Sequence, residues 1–320
     1  MQKFDHSNAV EVSIVIPLYN RAALIEQCIE CLPKSSEWEV IIVDDGSTDG
    51  SAAAARDAIS RHAAKDRMKV VEQENAGPGQ ARNAGAKLAS GKWLAFLDSD
   101  DYWAPQTSSD ILQATSKNDD AVLLFLQTVD FSAEQGLPEP ATEEVSLARH
   151  DRFLSAVKNN PGIRFAGCNF VIRREIFSQL GGFTEATSCS EDSDLFLRAD
   201  YLGQVICICG PWRVAHRVGG GDALTANVPQ VIKGFQYLCS QDANGNYGKV
   251  DKLRENFLSK SAAFTVRVAF ANGYPVKAYQ LLAINLGVIF RGDARSRIWR
   301  LALTPVLSLI RPNSFPMRWK

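Results

Sequence analysis

The chain is expected to be an α/β protein: a mostly parallel central sheet with helices on both faces, plus a C-terminal helical extension. Three observations carry that expectation. Short, uninterrupted apolar runs alternate with helix-period segments through the first hundred residues, several runs end in turns rich in Asp or Asn, and the pattern after about Val228 is helical throughout. Strands that are apolar at every position are covered on both faces, which is how a parallel sheet sits between helix layers.

The elements follow in order. Val12 to Ile16 is the first strand, and Leu24, Ile25, Cys28, Ile29 and Leu32 recur at helical spacing behind it. Val40 to Val43 is the second strand, followed by an Ala-rich helix from Ser51; Lys69 to Val71 is the third, followed by a helix from Gly79 to Ala89; Trp93 to Leu97 is the fourth. Three of these four strands end in unusual polar chemistry: Pro17-Leu-Tyr-Asn20, Asp44-Asp-Gly-Ser-Thr-Asp49 and Asp98-Ser-Asp-Asp101. Open α/β sheets bind ligands at the carboxyl ends of their strands, so these ends should converge on one crevice.

Residues 130 to 162 change character, with Glu134, Pro138, Glu139, Pro140, Glu143 and Glu144 ahead of a short helical pattern at Phe153 to Val157. A linker or a mobile loop beside the crevice is expected there. A second ordered block follows, with apolar Gly167 to Ile172, the turn Gly181-Gly-Phe183, and Ser190-Glu-Asp-Ser-Asp-Leu-Phe-Leu-Arg198. In that last stretch Ser190 can cap a helix whose first turn holds Glu191, Asp192 and Asp194, a placement the helix dipole favours. Helical patterns then cover Val231 to Leu238, Leu253 to Phe270 and Val276 to Ile289. The tail is basic, with Arg291, Arg295, Arg297, Arg300, Arg311, Arg318 and Lys320 against Asp293, and with Trp299 and Trp319 interleaved.

Composition narrows the function. The 320 residues are 46% hydrophobic with a formal net charge of -1, which is soluble-enzyme composition without the basic field a nucleic-acid binder needs. The first strand leads into Pro17-Leu-Tyr-Asn-Arg rather than a glycine fingerprint, Gly77, Gly79 and Gly85 have the wrong spacing, and there is no phosphate-loop lysine motif. Nicotinamide and P-loop chemistry are therefore discounted. The seven cysteines are scattered; Cys28 and Cys31 share a C-x-x-C spacing but lie on the apolar face of a helical stretch, so they read as core thiols in a reducing, cytoplasmic compartment. The polar N-terminus has no signal-like apolar core, and Leu301 to Ile310 is about half a membrane span and carries Pro305, so no spanning helix is expected.

Asp98, Asp100 and Asp101 concentrate negative charge where a buried strand should reach solvent. Adjacent carboxylates repel unless a hard cation sits between them, which makes Asp98 and Asp100 candidates for a metal and diphosphate site. A solvated Asp-rich turn is the alternative.

Taken in order, Val12-Ser-Ile-Val-Ile-Pro-Leu-Tyr-Asn20, Val43-Asp-Asp-Gly-Ser-Thr-Asp49, Asn75-Ala-Gly-Pro-Gly-Gln-Ala-Arg-Asn83, Asp98-Ser-Asp-Asp101 and Glu191-Asp192 resemble the family 2 glycosyltransferases of GT-A fold. The resemblance covers roughly residues 12 to 200. It implies inverting transfer of a sugar from a nucleoside diphosphate donor, expected to be a UDP-sugar, to a hydroxyl of a glycan or lipid-linked glycan. It also implies that Pro17 and Tyr19, with Asn20, border the base and ribose, that Asp45 accepts from the uracil imide, and that Arg82 and Asn83 lie near the donor. Asp98 would face ribose or metal, and Asp100 would bind Mg2+ or Mn2+. The Glu-Asp pair maps the general base onto Asp192 with Glu191 beside it.

On this reading residues 1–225 form the GT-A domain, with nucleotide-sugar binding in 10–103 and acceptor and catalytic functions in 163–225, and residues 226–320 form the helical extension. Many relatives have a histidine a few residues after an Arg in the segment matching Arg213 to Asp222, where this chain has glycines and an offset His216. A nucleotidyltransferase and a non-catalytic nucleotide-sugar-binding protein remain alternatives. The basic tail suits peripheral contact with an anionic membrane, or equally a solvated face of packed helices. Acceptor contacts fall outside the motif set, so the sequence assigns neither the sugar, the linkage nor the oligomeric state.

Overall fold

A computed structural model describes residues 10–139, 143–219 and 227–291. The basic stretch beyond Arg291 and the segment Gly220-Gly-Asp222 lie outside the described residues. The chain runs β1 (Val12–Leu18), α1 (Ile25–Glu30), β2 (Trp38–Asp44), α2 (Ser51–Arg61), β3 (Met68–Glu72), α3 (Pro78–Leu88), β4 (Trp93–Phe96), β5 (Tyr102–Trp103), α4 (Thr107–Ser116), β6 (Ala121–Leu126), β7 (Thr128–Phe131) and β8 (Ser146–His150). It continues with α5 (Phe153–Asn159), β9 (Phe170–Arg173), α6 (Arg174–Gln179), α7 (Glu191–Ala199), β10 (Gln204–Cys209), β11 (Val214–Arg217), α8 (Val228–Ala243), α9 (Lys252–Ala271), α10 (Pro275–Ile284) and α11 (Leu286–Arg291).

The described strands form a large sheet in the order β3-β2-β1-β4-β9-β6-β10-β8 and a small one in the order β5-β11-β7. In the large sheet β3, β2, β1 and β4 are mutually parallel, while β9 runs antiparallel to β4 and β6, and β8 runs antiparallel to β10. The expected mostly parallel α/β architecture is therefore the one found.

Both faces of the parallel region are covered. Val12, Ile14, Ile16, Val40 and Ile42 join Ile25, Cys28, Ile29, Ala55 and Ala58 of α1 and α2 in one core. The alternate residues Ile41 and Val43 pack with Ala81 of α3 in another. Alternation along a strand sends neighbouring side chains to opposite faces, so a strand between two helix layers is apolar at every position. On the α3 side the approach is so close that a Cβ on Gly85 would lie 2.4 Å from Val15 Cγ1, which is why glycine stands there.

β1 pairs with β2 along its full length, but its pairing with β4 ends at Val15–Phe96. Pro17 has no N–H to donate and falls where one neighbour has already departed, which is where a central strand tolerates proline. The sequence direction also reverses here, since β2 and β3 lie on one side of β1 and β4 on the other. Such a switch point opens a crevice beyond the strand ends.

The stretch 130–162 departs from the expectation of a linker or mobile loop. It contains the end of β7, the whole of β8, which pairs with β10 from His150–Val205 to Ser146–Cys209, and α5. β8 is an edge strand with no fully buried residue, so it lacks the apolar signature by which interior strands are recognised. Cys28 is fully buried and Cys31 half-buried, and burial pushes the Cys31 thiol up to about 12, in keeping with core thiols.

The chain separates into two compact units, residues 1–185 with 199–219, and residues 186–198 with 220–320. The segment carrying Glu191 and Asp192 thus groups with the C-terminal helices rather than with the sequence on either side of it. That unit has its own apolar core, including Val228, Val231, Ile232, Phe235, Ala262, Val266 and Ala278. No described helix is long and apolar enough to cross a membrane.

A carboxylate network ties β1 to β2 and to the turn before β4. Glu39 Oε1 accepts from Ser13 Oγ at 2.6 Å, Ser90 N at 2.6 Å and Ser90 Oγ at 2.9 Å, while Ser13 Oγ accepts from Gly91 N at 2.9 Å. Burial alone would raise the Glu39 pKa, but these hydrogen bonds outweigh it and hold the group below the usual value of 4.5. A lowered native pKa contributes stability that is present above the unfolded value and lost as pH falls through the native one. Glu39→Gln should therefore lower the melting temperature at neutral pH and flatten its decline on acidification, as measured by thermal unfolding across a pH series.

Candidate active site

Two loops are knitted together at the carboxyl ends of β1 and β2. Asn20 adopts a left-handed backbone (φ 49), its N–H donates to Ser47 Oγ at 3.0 Å and its Oδ1 accepts from Thr48 N at 2.9 Å. Asn is among the few side-chain-bearing residues that take this conformation readily. Arg21 N donates to Ser51 Oγ at 2.7 Å, and Ala22 N to Asp49 Oδ2 at 3.0 Å. Asp44 Oδ1 accepts from Ser47 N at 2.8 Å, closing the turn after β2. Tyr19 projects from this assembly with 48% of its surface exposed.

Asp45 is 2% exposed and fixes the next loop. Its Oδ1 accepts from Gln73 Nε2 at 2.7 Å and Ala76 N at 2.8 Å, and its Oδ2 accepts from Gly77 N at 2.8 Å. The carboxylate thus holds the segment that leads into α3. A carboxylate offers about four acceptor positions, so these three bonds leave capacity for one more donor.

α3 then delivers Arg82, 5% exposed, whose Nη2 donates to Asp98 Oδ1 at 2.6 Å. Two positions on, Asp100 Oδ2 lies 3.4 Å from Arg21 Nε, and Arg21 Nη1 donates to Asn20 O at 3.1 Å. Burial raises the Asp100 pKa first and the nearby Asp98 charge raises it further, against the lowering effect of Arg21. Arg217 on β11 completes the surroundings: its N–H donates to Asp101 Oδ1 at 2.9 Å, its Nε to Asp100 O at 3.4 Å and its Nη2 to Tyr102 Oη at 2.6 Å. Asp98 and Asp100 keep 31% and 27% of their side-chain surface exposed. Two neighbouring, partly exposed carboxylates offer hard oxygens that fit a divalent cation such as Mg2+ or Mn2+.

The model of the family described as Glycosyl transferase family 2 matches residues 13–181. The chain belongs to that family. This family 2 glycosyltransferase is 31% identical over 203 residues to an uncharacterized glycosyltransferase, EpsJ, of Bacillus subtilis, covering 59% of this chain and 55% of the relative. It is 40% identical over 101 residues to a poly(ribitol-phosphate) beta-glucosyltransferase of Bacillus spizizenii, covering 29% and 15%. The matched regions thus span well under two thirds of these relatives. Among solved structures it resembles S. aureus TarS 1-349 in complex with UDP-GlcNAc (TM-score 0.55, 18% identity, 96% and 93% covered). It also resembles the mannosyltransferase PcManGT of Pyrobaculum calidifontis in complex with GDP-Man and Mn2+ (TM-score 0.55, 18% identity, 96% and 89% covered). At this identity the likeness shows a shared GT-A fold.

In this glycosyltransferase the first unit brings Pro17, Tyr19, Asn20, Asp45, Arg82, Asp98 and Asp100 to neighbouring strand ends. Asn83 also has a role within the fold. Its Nδ2 donates to Phe183 O at 2.9 Å and its Oδ1 accepts from Phe183 N at 2.9 Å, pinning the Gly181-Gly-Phe183 turn to α3. Gly182 has φ +73, and a Cβ on it would sit 2.4 Å from Asn83 Oδ1, so this clamp requires glycine.

Glu191 and Asp192 open α7 in the second unit, and their acids divide by burial. Glu191 is 6% exposed, while Asp194 is fully buried, bonded to Tyr247 Oη at 2.8 Å and paired with Arg198 at 2.8 Å. Asp192 is half-buried, and its Oδ1 accepts from Ser193 N at 2.6 Å. Ser190 precedes the helix with a left-handed φ of 67 instead of the extended backbone usual at a capping position.

Sequence reasoning passed over Arg21 and Arg217. Arg21 directly follows the Pro-Leu-Tyr-Asn turn, which was a usable signal; Arg217 is brought in only by the β5–β11 pairing, which no spacing reveals.

The Asp45 arrangement makes a direct prediction. In Asp45→Asn one oxygen becomes an amide nitrogen that cannot accept from the loop, so the variant should lose about 1–3 kcal/mol of stability. Hydrogen exchange should show Ala76 and Gly77 amides losing protection while the β1 and β2 amides keep theirs.

Proposed function

We propose that this chain is an inverting glycosyltransferase that moves a sugar from a uridine diphosphate donor to a hydroxyl of a glycan or lipid-linked glycan. The observation that carries this reading is the placement of partly exposed Asp98 and Asp100 at the β1–β4 switch point, on strand ends neighbouring those that carry Pro17, Tyr19, Asn20 and Asp45. The similar folds that hold UDP-GlcNAc, and GDP-Man with Mn2+, support a nucleotide-sugar donor and a divalent cation. The position left on Asp45 suits a ring N–H donor such as the uracil imide, in keeping with a uridine donor.

Asp98 and Asp100 would hold the cation, which supplies charge stabilisation to a departing diphosphate. Tyr19 and Pro17 would flank the nucleoside, and Arg82 would orient Asp98. Asp192 would accept the proton of the acceptor hydroxyl as its oxygen bonds to the anomeric carbon, with the bond to the diphosphate breaking on the opposite face. Glu191 would fix the start of α7 beside it. On this reading 1–225 is the transferase domain and 226–320 an extension.

Three outcomes check the proposal. Asp100→Ala should fold normally yet lose most metal-dependent turnover, and chelation should silence the wild type; full activity under chelation sinks the metal assignment. UDP should bind more tightly than GDP by calorimetry. Asp192→Asn should keep its fold and UDP affinity while transfer falls roughly a hundredfold or more. Transfer near the wild-type rate, or its loss in Glu191→Gln alone, would move the base elsewhere.

The extension supports a location for the acceptor. α10 and α11 expose Val276 (71%), Ile284 (77%), Phe290 (50%) and Tyr279 (44%), just ahead of the basic tail. Apolar side chains next to clustered arginines suit the surface of an anionic bilayer, where a lipid-linked acceptor resides. The chain should float with anionic vesicles but not neutral ones, and deleting residues 291 to 320 should weaken flotation.

A further inference from the structure

Asp101 has no part in the proposed donor site, yet it is the most buried acid of its turn, at 1% exposed. Arg217 N donates to its Oδ1, while Oδ2 lies buried with no nitrogen or oxygen donor. Cys168, 2% exposed, and His216, half-buried, come from two other segments, the one before β9 and β11 itself. Their sulfur and ring nitrogen lie within 4.8 Å of one another and of an Asp101 carboxylate oxygen. A carboxylate, a thiol and an imidazole have therefore been gathered from three distant parts of the first unit, and the carboxylate carries a buried oxygen that no nitrogen or oxygen donor reaches.

A divalent cation would complete such a donor set, binding the thiol as its thiolate.

His216 Nδ1 lies 3.2 Å from Asp130 Oδ1, and Arg164 Nη2 holds that same oxygen at 2.8 Å. Arg164 Nη1 is also 2.7 Å from Nδ1, so with no ion bound the ring has two competing tautomers. The tautomer that donates from Nδ1 to Asp130 presents the Nε2 lone pair, and a carboxylate behind the imidazole is the usual support of a metal-bound histidine.

We propose that Asp101, Cys168 and His216 form a second divalent-cation site, one that takes Zn2+ or a similarly borderline-soft ion, separate from the oxygen-only pair Asp98 and Asp100. Thiolate, imidazole and carboxylate together select such ions over Mg2+, and three protein ligands leave a fourth tetrahedral position for water. Zinc bond lengths of about 2.0–2.3 Å bring ligand atoms closer than the present spacing, so binding draws the three side chains inward. The half-exposed His216 provides the entry route. Once bound, the ion would tie the Asp98–Asp101 turn to β11 and to the segment before β9.

The test needs no nucleotide sugar, so its outcome is independent of the glycosyl-transfer reading. Metal-stripped full-length protein is titrated with Co2+ and followed by absorption. One equivalent should bind with a sulfur-to-cobalt charge-transfer band that Zn2+ abolishes, and Zn2+ should raise the melting temperature. Cys168→Ser and His216→Gln should each remove the band, while Asp100→Ala and Cys31→Ser should retain it. A folded wild type that shows no such band overturns the proposal, as does a band that survives Cys168→Ser or disappears in Asp100→Ala. If Cys168→Ser does not fold, the partly exposed His216→Gln decides, with a retained band counting against the site.

Discussion

Asp98, Asp100 and Asp101 crowd the carboxyl end of β4, and the structure around them is organised by the need to offset that charge. Burial, with their mutual repulsion adding, raises the pKa of Asp100 and Asp101. Each acid is met by a different part of the first unit: Asp98 by Arg82 from α3, Asp100 by Arg21 after β1, and Asp101 by the backbone of Arg217 on β11. Arg82 arrives from a helix that reaches β1 only because Gly85 permits the approach. Arg217 is held in turn over the rings of Tyr102, at 5.6 Å, and Phe131, at 4.8 Å. An acid cluster that would destabilise an isolated turn becomes tolerable because three separate elements converge on it.

A second theme is that several motif residues act on the backbone before they can act on a ligand. Asn20 bridges to the loop after β2, Asp45 holds the entry to α3, and Asn83 copies a strand partner for Phe183. Side chains that hydrogen-bond main-chain groups set loop shape more rigidly than apolar contact does, and a binding rim made of loops depends on that preorganisation. Loss of affinity in an Asn83 variant would therefore report displacement of the 181–183 turn as readily as loss of a direct contact.

The legible part of the fold was the part fixed by short-range patterning. β1, β2 and β4 are apolar apart from Ser13, Glu39 and the terminal Asp44, and end in polar turns, so their burial on both faces and the location of their carboxyl ends could be read directly. β6 (Ala-Val-Leu-Leu-Phe-Leu) and β10 are short apolar runs, which periodicity does not separate from a buried helical turn. β8 is polar because it lies at an edge, and β9 turns the sheet antiparallel without any local sign of doing so. The candidate site divides along the same line. Carboxylates at strand ends are local and were found, whereas Arg217, Cys168 and His216 gain meaning only from long-range pairing of β11 and the placement of the segment before β9.

Sequence also could not rank the three acids that open α7, because a helix dipole favours all of them equally. Burial does rank them. Asp194 is committed to Arg198 and Tyr247 within its own unit: removing it would take the hydrogen-bond acceptor from the buried Tyr247 phenol and an ion-pair partner from Arg198. Glu191 is nearly as enclosed. Asp192 remains half-buried in the first turn of the helix. The close packing of α8 on this turn, where a Cβ at Gly234 would lie 2.3 Å from Cys189 O, fixes the backbone from which Asp192 projects. The C-terminal helices therefore act as the mount for α7, and a change at Gly234 should disturb Asp192 without touching the strand-end carboxylates.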